Sequence, residues 1–386
     1  MKAAGKISSL AMCLLLSGCY AAAWNPDRLD QWADRELPQS LMQHVPELES
    51  REEISILVFG DSGKPESFEK VVPWMGQACA DRCDFALMLG DNFYLRGPSD
   101  PAPDRFRTHF KDPLSKHGAH LAGLNYWVVL GNHGYISLWG RPPSDPVLQL
   151  EYTYAQDPGD RPLWLMPAHQ YAIPRLPAWL TVVGVDSFFG TDPDSFAGSA
   201  QEYEQARDAY VARVYDSLAS KGDQGWRVMF GHHPKMTIGD HADENRIDDV
   251  PSPFEDLLPL IYFSGHDHDQ QLIEAGGLVQ VVQGAASKTR AKKWGVARAE
   301  SYFDGTLAPA YERLGFATSA EYCEKLGFAI ATFREYEFEL TFYWGESGQP
   351  ESSGQSSWSW SRQRNGEISR DQPVEPAMFV DICPDS

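Results

Sequence analysis

The sequence predicts an α/β fold in which two mixed β-sheets pack as a sandwich, with helices outside. Short apolar runs recur along the chain, and each run ends at Gly, Asp, Asn or His. Strands that are apolar throughout are typical of sheets covered on both faces, as in layered α/β proteins. Helical stretches separate some of these runs, and the last runs follow one another directly, as antiparallel strands do.

The predicted elements follow from these patterns in chain order. The strand-like runs before residue 270 are ISILVFGD (54–61), DFALMLGD (84–91), NYWVVLGNH (125–133), LTVVGVD (180–186), WRVMFGHH (226–233) and LIYFSGHDH (260–268). The stretch 202–220 carries apolar residues at helical spacing, which predicts a helix with one buried face. Later in the chain, LVQVVQG (278–284) predicts a strand and FAIATFREYEFELTFYW (328–344) predicts an antiparallel pair.

One large domain accounts for residues 24–345, because a chain of 386 residues can bury a substantial core. The segment 346–366 is rich in Ser, Gly and Gln, which predicts a flexible excursion. We expect the end of the tail, up to residue 386, to be tied back through Cys383.

The first 23 residues have the pattern of an export signal. Lys2 and Lys6 precede a short apolar run and then small residues, and the run is too short for a membrane helix. Two endings remain open. LSGC (16–19) resembles a bacterial lipobox, which would make Cys19 a lipidated first residue, whereas AAA (21–23) suits ordinary signal cleavage. Either ending predicts export to the bacterial cell envelope or periplasm, with lipid anchoring or secretion as the two outcomes.

Export makes disulfides the first expectation for the remaining cysteines. Cys79 and Cys83 lie close in sequence and are expected to pair, which leaves Cys323 to pair with Cys383. A zinc site is the alternative, but C-x3-C with two distant partners is not a usual zinc spacing, and no His lies beside these cysteines.

The overall charge restricts the partners. The formal net charge is -21, which argues against nucleic acid or anionic lipid as a bulk electrostatic partner. A local metal charge can still attract an anionic substrate. No run after residue 23 is apolar for long enough to span a membrane, so a lipid on Cys19 is the only membrane contact predicted. The oligomeric state is left open.

Residues able to bind metals follow the predicted strands. The carboxyl ends of strands in open α/β sheets line the functional crevice, so these residues are expected to converge. Carboxylate, amide oxygen, imidazole and phenolate groups suit iron, manganese or zinc, and the set is too large for one tetrahedral zinc. Two metals sharing a carboxylate would clamp the oxygens of an in-line phosphoryl displacement. The candidates are Asp61, Asp91, Tyr94, Asn132, His133, His232, His233, His241, His266 and His268.

The order GDSG, GDNFY, GNH, VMFGHH and GHDH resembles the metallophosphoesterases. More narrowly, it resembles the purple acid phosphatases of the small, tartrate-resistant type, because LGDNFY is followed by RFRTHFKDPL. The resemblance runs from about Ile54 to His268. It implies a metallophosphoesterase-type four-layer sandwich, in which two mixed β-sheets are flanked by helices, and it implies acid phosphatase activity.

The resemblance also implies the ligands of a binuclear metal centre. Tyr94 is the discriminating residue, since most metallophosphoesterases have no tyrosine three positions after the bridging aspartate. A phenol normally ionises near pH ~10, so binding as phenolate needs a strongly Lewis-acidic ion such as Fe(3+). The implied ligands are Asp61, Tyr94 and His268 for Fe(3+), Asp91 as the bridge, and Asn132, His232 and His266 for a divalent iron, zinc or manganese ion.

Three further histidines match positions near the substrate in that family. His133 and His241 are implied to bind phosphate oxygens, and one of them would protonate the leaving alkoxide. His233 stands where small acid phosphatases commonly carry Tyr, and we expect it near the site without a defined role. The family usually has Asp or Glu after Gly-Asn-His, whereas this chain has Gly134, which puts the orientation of His133 in doubt.

The implied reaction is hydrolysis of a small phosphate monoester by a metal-bound hydroxide. A phosphodiesterase or nucleotide pyrophosphatase on the same scaffold is the first alternative. The second, from another class, is a surface protein with a vestigial metal site, and Gly134 is its only support.

Overall fold

A computed structural model describes the chain between residues 35 and 383, with gaps. The export-signal predictions, including the lipobox and Cys19, lie outside the described residues. No helix within the described part is long and apolar enough to cross a membrane. The described ranges are 35–80, 82–99, 103–116, 119–135, 144–188, 199–220, 225–241, 257–290, 319–346, 349–363, 367–371 and 379–383.

The strands and helices of the described residues are as follows. The strands are β1 (Glu53–Phe59), β2 (Phe85–Met88), β3 (Asn125–Val128), β4 (Leu163–Leu165), β5 (Gln170–Ala172), β6 (Leu180–Val185), β7 (Trp226–Phe230), β8 (Leu260–Ser264), β9 (Gln270–Ala275), β10 (Leu278–Gln283), β11 (Ser319–Cys323), β12 (Leu326–Arg334), β13 (Glu337–Glu346), β14 (Gln349–Arg362), β15 (Ile368–Arg370) and β16 (Phe379–Asp381). The helices are α1 (Gln39–Met42), α2 (Pro65–Cys79), α3 (Pro103–Phe106), α4 (Asp112–Lys116), α5 (Ala119–Gly123), α6 (Val147–Ala155) and α7 (Ala200–Ala219). A π-helical turn at Arg107–Lys111 and a 3-10 turn at Asn132–Gly134 complete the set.

Two mixed eight-stranded sheets confirm the predicted architecture. The first has the order β15-β14-β13-β12-β1-β2-β3-β4, and the second has the order β16-β11-β9-β10-β8-β7-β6-β5. Strands β1 to β4 run parallel in the first sheet, as do β6, β7, β8 and β10 in the second. Helix α2 contacts the first sheet and α7 contacts the second. The predicted stripe of α7 buries Tyr203, Val214 and Leu218.

The sheets pack through large aromatic side chains. Trp226 of β7 lies 6.1 Å from Phe333 and 6.0 Å from Phe338, measured between ring centroids across the two sheets. Its indole N–H donates to the carbonyl of Arg334 at 2.7 Å, so the buried polar atom is satisfied. This contact joins β7 of the second sheet to β12 and β13 of the first.

The flexible excursion predicted over 346–366 is wrong. Residues 349–362 form β14, which pairs antiparallel with β13 and extends the first sheet. Trp358 and Trp360 are buried, so the polar composition concealed a strand. The alternation of Trp with Ser in SSWSWSR was the available signal, because period-two alternation is typical of a half-buried strand.

Both predicted disulfides are confirmed. Cys79 at the end of α2 pairs with Cys83, and Cys323 at the end of β11 pairs with Cys383. The second bond ties the C-terminal segment to the second sheet, as expected for the tail.

Candidate metal centre

All seven predicted metal ligands lie in turns that follow parallel strands. The turns after β1, β2 and β3 come from the first sheet, and those after β7 and β8 come from the second. The carboxyl ends of both sets of strands therefore meet at one edge of the sandwich. These ligands are Asp61, Asp91, Tyr94, Asn132, His232, His266 and His268.

Three of them form the first group of ligand atoms. The Tyr94 hydroxyl donates to Asp61 Oδ1 at 2.6 Å and lies 3.0 Å from His268 Nε2. His268 Nε2 lies 3.3 Å from the same carboxylate oxygen. Asp61 and His268 are buried, so these atoms face one another away from bulk solvent. This is the trio implied for Fe(3+).

The second group consists of an amide and two imidazoles. His232 Nε2 lies 3.0 Å from Asn132 Oδ1 and 3.3 Å from His266 Nδ1. The other ring nitrogen of His232 donates to the carbonyl of Leu89 at 2.8 Å. That hydrogen bond fixes the tautomer and leaves the Nε2 lone pair for a metal.

Asp91 lies between the two groups. Its Oδ1 accepts the His133 backbone N–H at 2.9 Å and lies 3.6 Å from His232 Nε2. Asp61, Asp91 and His232 each offer a ligand atom within 4.8 Å of the others. Asp91 has a φ of 48°, a left-handed conformation that Asp tolerates better than most residues. The position suits a carboxylate shared by two ions.

The electrostatics of these groups fit bound cations. Burial raises the pKa of the Asp61 carboxyl, and the charge of Asp91 raises it further, although His232 opposes this. Burial, and then the neighbouring Asp61 and Asp91, raise the pKa of the Tyr94 phenol. Burial also lowers the pKa of the His268 imidazole to about 2. A cation would stabilise the ionised oxygens and use the lone pairs of neutral imidazoles, so the donor set fits a metal pair.

His133 is held in place although Gly134 follows it, where the purple acid phosphatases usually have Asp or Glu. Its Nδ1 donates to the carbonyl of Leu95 at 2.6 Å, and its own carbonyl accepts the Gly97 N–H at 2.7 Å. Its Nε2 is directed towards the site, 3.7 Å from Asp91 Oδ2. A Cβ at Gly134 would lie 3.1 Å from Gln149 Nε2, which occupies the adjacent space.

The structure brings His241 and His233 to the second group of ligands. The rings of His241 and His266 lie 4.0 Å apart between centroids, and the His241 backbone N–H donates to Asp267 Oδ1 at 3.1 Å. The His233 ring lies 4.6 Å from that of His266, and its Nδ1 is 2.9 Å from Ser187 Oγ. Both residues thus lie where the sequence predicted, while their roles stay predictions.

Sequence reasoning missed three side chains around the centre. Ser187, which follows β6, accepts the backbone N–H groups of His232 and His233 at 3.0 and 2.8 Å. Lys288 and Arg290, which follow β10, reach Tyr94 and His241. The signal was present, because LVQVVQGAASKTR repeats the pattern of an apolar run, Gly and then polar residues.

A family model described as calcineurin-like phosphoesterase matches residues 54–270, more than half of the chain. The protein belongs to this family. Every predicted ligand of this phosphoesterase lies within the matched segment. Family membership indicates a hydrolase of phosphate esters and agrees with the two-sheet architecture.

The phosphoesterase is similar in sequence to characterised acid phosphatases. Tartrate-resistant acid phosphatase type 5 of Mus musculus is 27% identical over 221 residues, which cover 53% of this chain and 61% of that protein. Purple acid phosphatase 17 of Arabidopsis thaliana is 22% identical over 320 residues, which cover 78% and 84%. The chain thus spans less than two thirds of the tartrate-resistant relative. These relatives imply a binuclear metal centre.

Solved structures share the fold at lower identity. GAP50, the anchor in the inner membrane complex of Plasmodium, superposes with a TM-score of 0.56 at 14% identity, covering 82% of this chain and 91% of that one. PhoD superposes with a TM-score of 0.52 at 9% identity, covering 87% and 75%. At these identities the likeness concerns the fold alone.

Proposed function

We propose that this phosphoesterase is an acid phosphatase of the purple type, which hydrolyses small phosphate monoesters. The observation that carries the proposal is the contact of the Tyr94 hydroxyl with both Asp61 and His268. A phenol among buried ligands suits Fe(3+) better than a divalent ion alone. Asn132, His232 and His266 would hold the divalent ion, iron, zinc or manganese, with Asp91 shared between the two.

The protein side chains would position the ester and manage its protons. A bound metal pair supplies a low-pKa water as the nucleophile and neutralises the phosphate charge. As an imidazolium, His133 would donate a hydrogen bond from Nε2 to a phosphate oxygen while its Nδ1–H donates to the carbonyl of Leu95. His241 lies against His266 and, as an imidazolium, would protonate the leaving alkoxide oxygen. No protein nucleophile is needed.

The test uses purified full-length protein, its iron and divalent-metal content, and its visible spectrum. We expect a purple or pink band and hydrolysis of p-nitrophenyl phosphate in preference to its bis-ester. Tyr94→Phe should abolish the band, since a phenylalanine cannot provide phenolate charge transfer. A colourless wild type with full activity would remove Tyr94 as a ferric ligand. Preference for the bis-ester would favour the phosphodiesterase alternative, and metal content without hydrolysis of either would favour a vestigial site.

We also propose that the protein is exported. Two disulfides within the described residues are in keeping with an oxidising compartment. If the lipobox is used, wild-type protein should fractionate with membranes and Cys19→Ser should not. If cleavage follows residue 23, both forms should be soluble after export.

A further inference from the structure

The segment after β10 is fastened to the turns that carry the first group of ligands. Ser287 Oγ donates to the carbonyl of Asp61, and the backbone N–H of Ala286 donates to the carbonyl of Gly60 at 3.3 Å. The N–H of Arg290 donates to the carbonyl of His268 at 3.1 Å. The residues between these anchors are therefore fixed relative to the metal centre.

Lys288 is placed by these anchors beside the Fe(3+) position. Its ammonium nitrogen lies 5.5 Å from the centroid of the Tyr94 ring, and the side chain is half-exposed. Among the described residues, no carboxylate is hydrogen bonded to this ammonium. Its contact within the described part of the chain is the face of an aromatic ring, which leaves its N–H donors for a ligand.

Arg290 places a second cation beside His241. Its Nη1 lies 2.5 Å from His241 Nε2 and 3.5 Å from Asp240 Oδ2. A guanidinium has five N–H donors, so these contacts leave donors over. Its side chain is 30% exposed, which keeps it accessible from solvent.

These cations contrast with the formal net charge of the whole chain, which is -21. Arg290 and Lys64 lie close enough to Lys288 to repel its charge, whereas Asp61 and Asp91 attract it. An anion bound among them would relieve that repulsion. If they served only to neutralise the metal-binding carboxylates, Lys288 would be expected to contact a carboxylate rather than a ring.

We propose that Lys288 and Arg290 form a second oxyanion subsite, which selects substrates that carry another anionic group close to the scissile phosphate. The ligand class is a small phosphate ester that also bears a carboxylate or a second phosphate. The proposal rests on the proposed phosphatase function, because it assumes that the scissile phosphate binds at the metal centre.

A matched pair of esters tests the subsite. Glycerol 2-phosphate and 2-phosphoglycerate differ by a hydroxymethyl group in place of a carboxylate, so their ratio of kcat/KM isolates the second charge. We expect wild-type protein to favour 2-phosphoglycerate by about tenfold, which is typical of one charged hydrogen bond. Lys288→Met, which keeps the aliphatic stem, and Arg290→Gln should each reduce that ratio.

Arg334→Ala is the charge control. Arg334 contacts Glu53 at the amino end of β1, whereas the metal centre lies beyond the carboxyl end of that strand. At about 3.3 Å per strand residue, the two ends of β1 are roughly 20 Å apart. This variant should leave the ratio of kcat/KM unchanged. A wild-type ratio near one, or equal ratios in all four proteins, would overturn the subsite. A ratio that falls in Arg334→Ala as much as in Lys288→Met would overturn it too, because overall charge would then explain the preference.

A binding experiment separates failure of the subsite from failure of the phosphatase function. Calorimetry on the metal-loaded full chain compares methylphosphonate with phosphonoacetate, which cannot be hydrolysed as esters and differ by a carboxylate. Tighter binding of phosphonoacetate that is lost in Lys288→Met would support the subsite even if neither ester were hydrolysed. Equal affinities would refute it even if the protein proved an active phosphatase.

Discussion

Gly131 offers a direct test of whether the centre depends on close packing around Asp91. A Cβ built at this glycine would lie 2.3 Å from both the backbone nitrogen and Oδ1 of Asp91, whereas real Cβ atoms essentially never approach within 3.0 Å. Gly131→Ala must therefore displace Asp91 by roughly 0.7 Å, the difference between these distances. Functional constellations tolerate displacements of about 0.5 Å, and a displacement of ~1 Å can cost about 10²-fold in rate.

We expect Gly131→Ala to lower kcat for p-nitrophenyl phosphate by about 100-fold. The overpacking should reduce the free energy of unfolding by only ~1–3 kcal/mol, so the variant should still fold. Metal content measured alongside kcat distinguishes a lost ion from a misplaced one.

Gly123→Ala is the matched control, because a Cβ at Gly123 meets nothing within 4 Å. It should retain both metal and rate. A Gly131→Ala protein with wild-type metal content and more than about a third of the wild-type kcat would contradict this prediction. The site would then tolerate a displacement of Asp91 larger than about 0.5 Å.

Three further predictions concern the site, the fold and the pH response. His241→Ala should keep the visible band but lower kcat by about 10²-fold, as expected for loss of a general acid, and stopped assays with parallel spectra measure both. Replacing Cys323 and Cys383 by Ser should lower the free energy of unfolding, measured in urea, by about 4 kcal/mol, because their bond closes a loop of 60 residues. Removing the Cys79–Cys83 bond, which closes a loop of four residues, should lower it by about 2 kcal/mol. Burial and the charge of Arg105 lower the pKa of His109 to about 4 from 6.5 in the unfolded chain. Between pH 6.5 and 4 the unfolded state therefore binds more protons than the folded state, and the stability should fall as the pH falls through that window. Thermal unfolding at several pH values measures this decline, which His109→Gln should flatten.

The local pattern of the sequence was enough to predict the strands that carry the ligands. Each apolar run gave a strand because its short length and continuous apolar character suit a sheet covered on both faces. The ends of those strands then converge for a topological reason, since parallel strands of one sheet share an edge. Composition misled at β14, where Gln355 and Ser357 are exposed while Trp358 and Trp360 are buried.

The cations beside the centre show what local pattern does not carry. Lys288 and Arg290 became functional candidates only through contacts with Tyr94 and His241, which lie about 194 and 49 positions away in the chain. Residue types and spacing can suggest a turn after β10, but they do not say which side chains that turn will meet.

Gly134 was the one observation in favour of a vestigial site, and the structure weakens it. A carboxylate after Gly-Asn-His would matter chiefly by orienting His133, and other groups orient that residue here. The ring is fixed by the carbonyl of Leu95, and the backbone is fixed from both sides by Asp91 Oδ1 and the Gly97 N–H. A larger residue at 134 would crowd Gln149, whose Oε1 accepts a hydrogen bond from Asn92 at 3.2 Å. The glycine is therefore consistent with a catalytic His133 held by a different set of contacts.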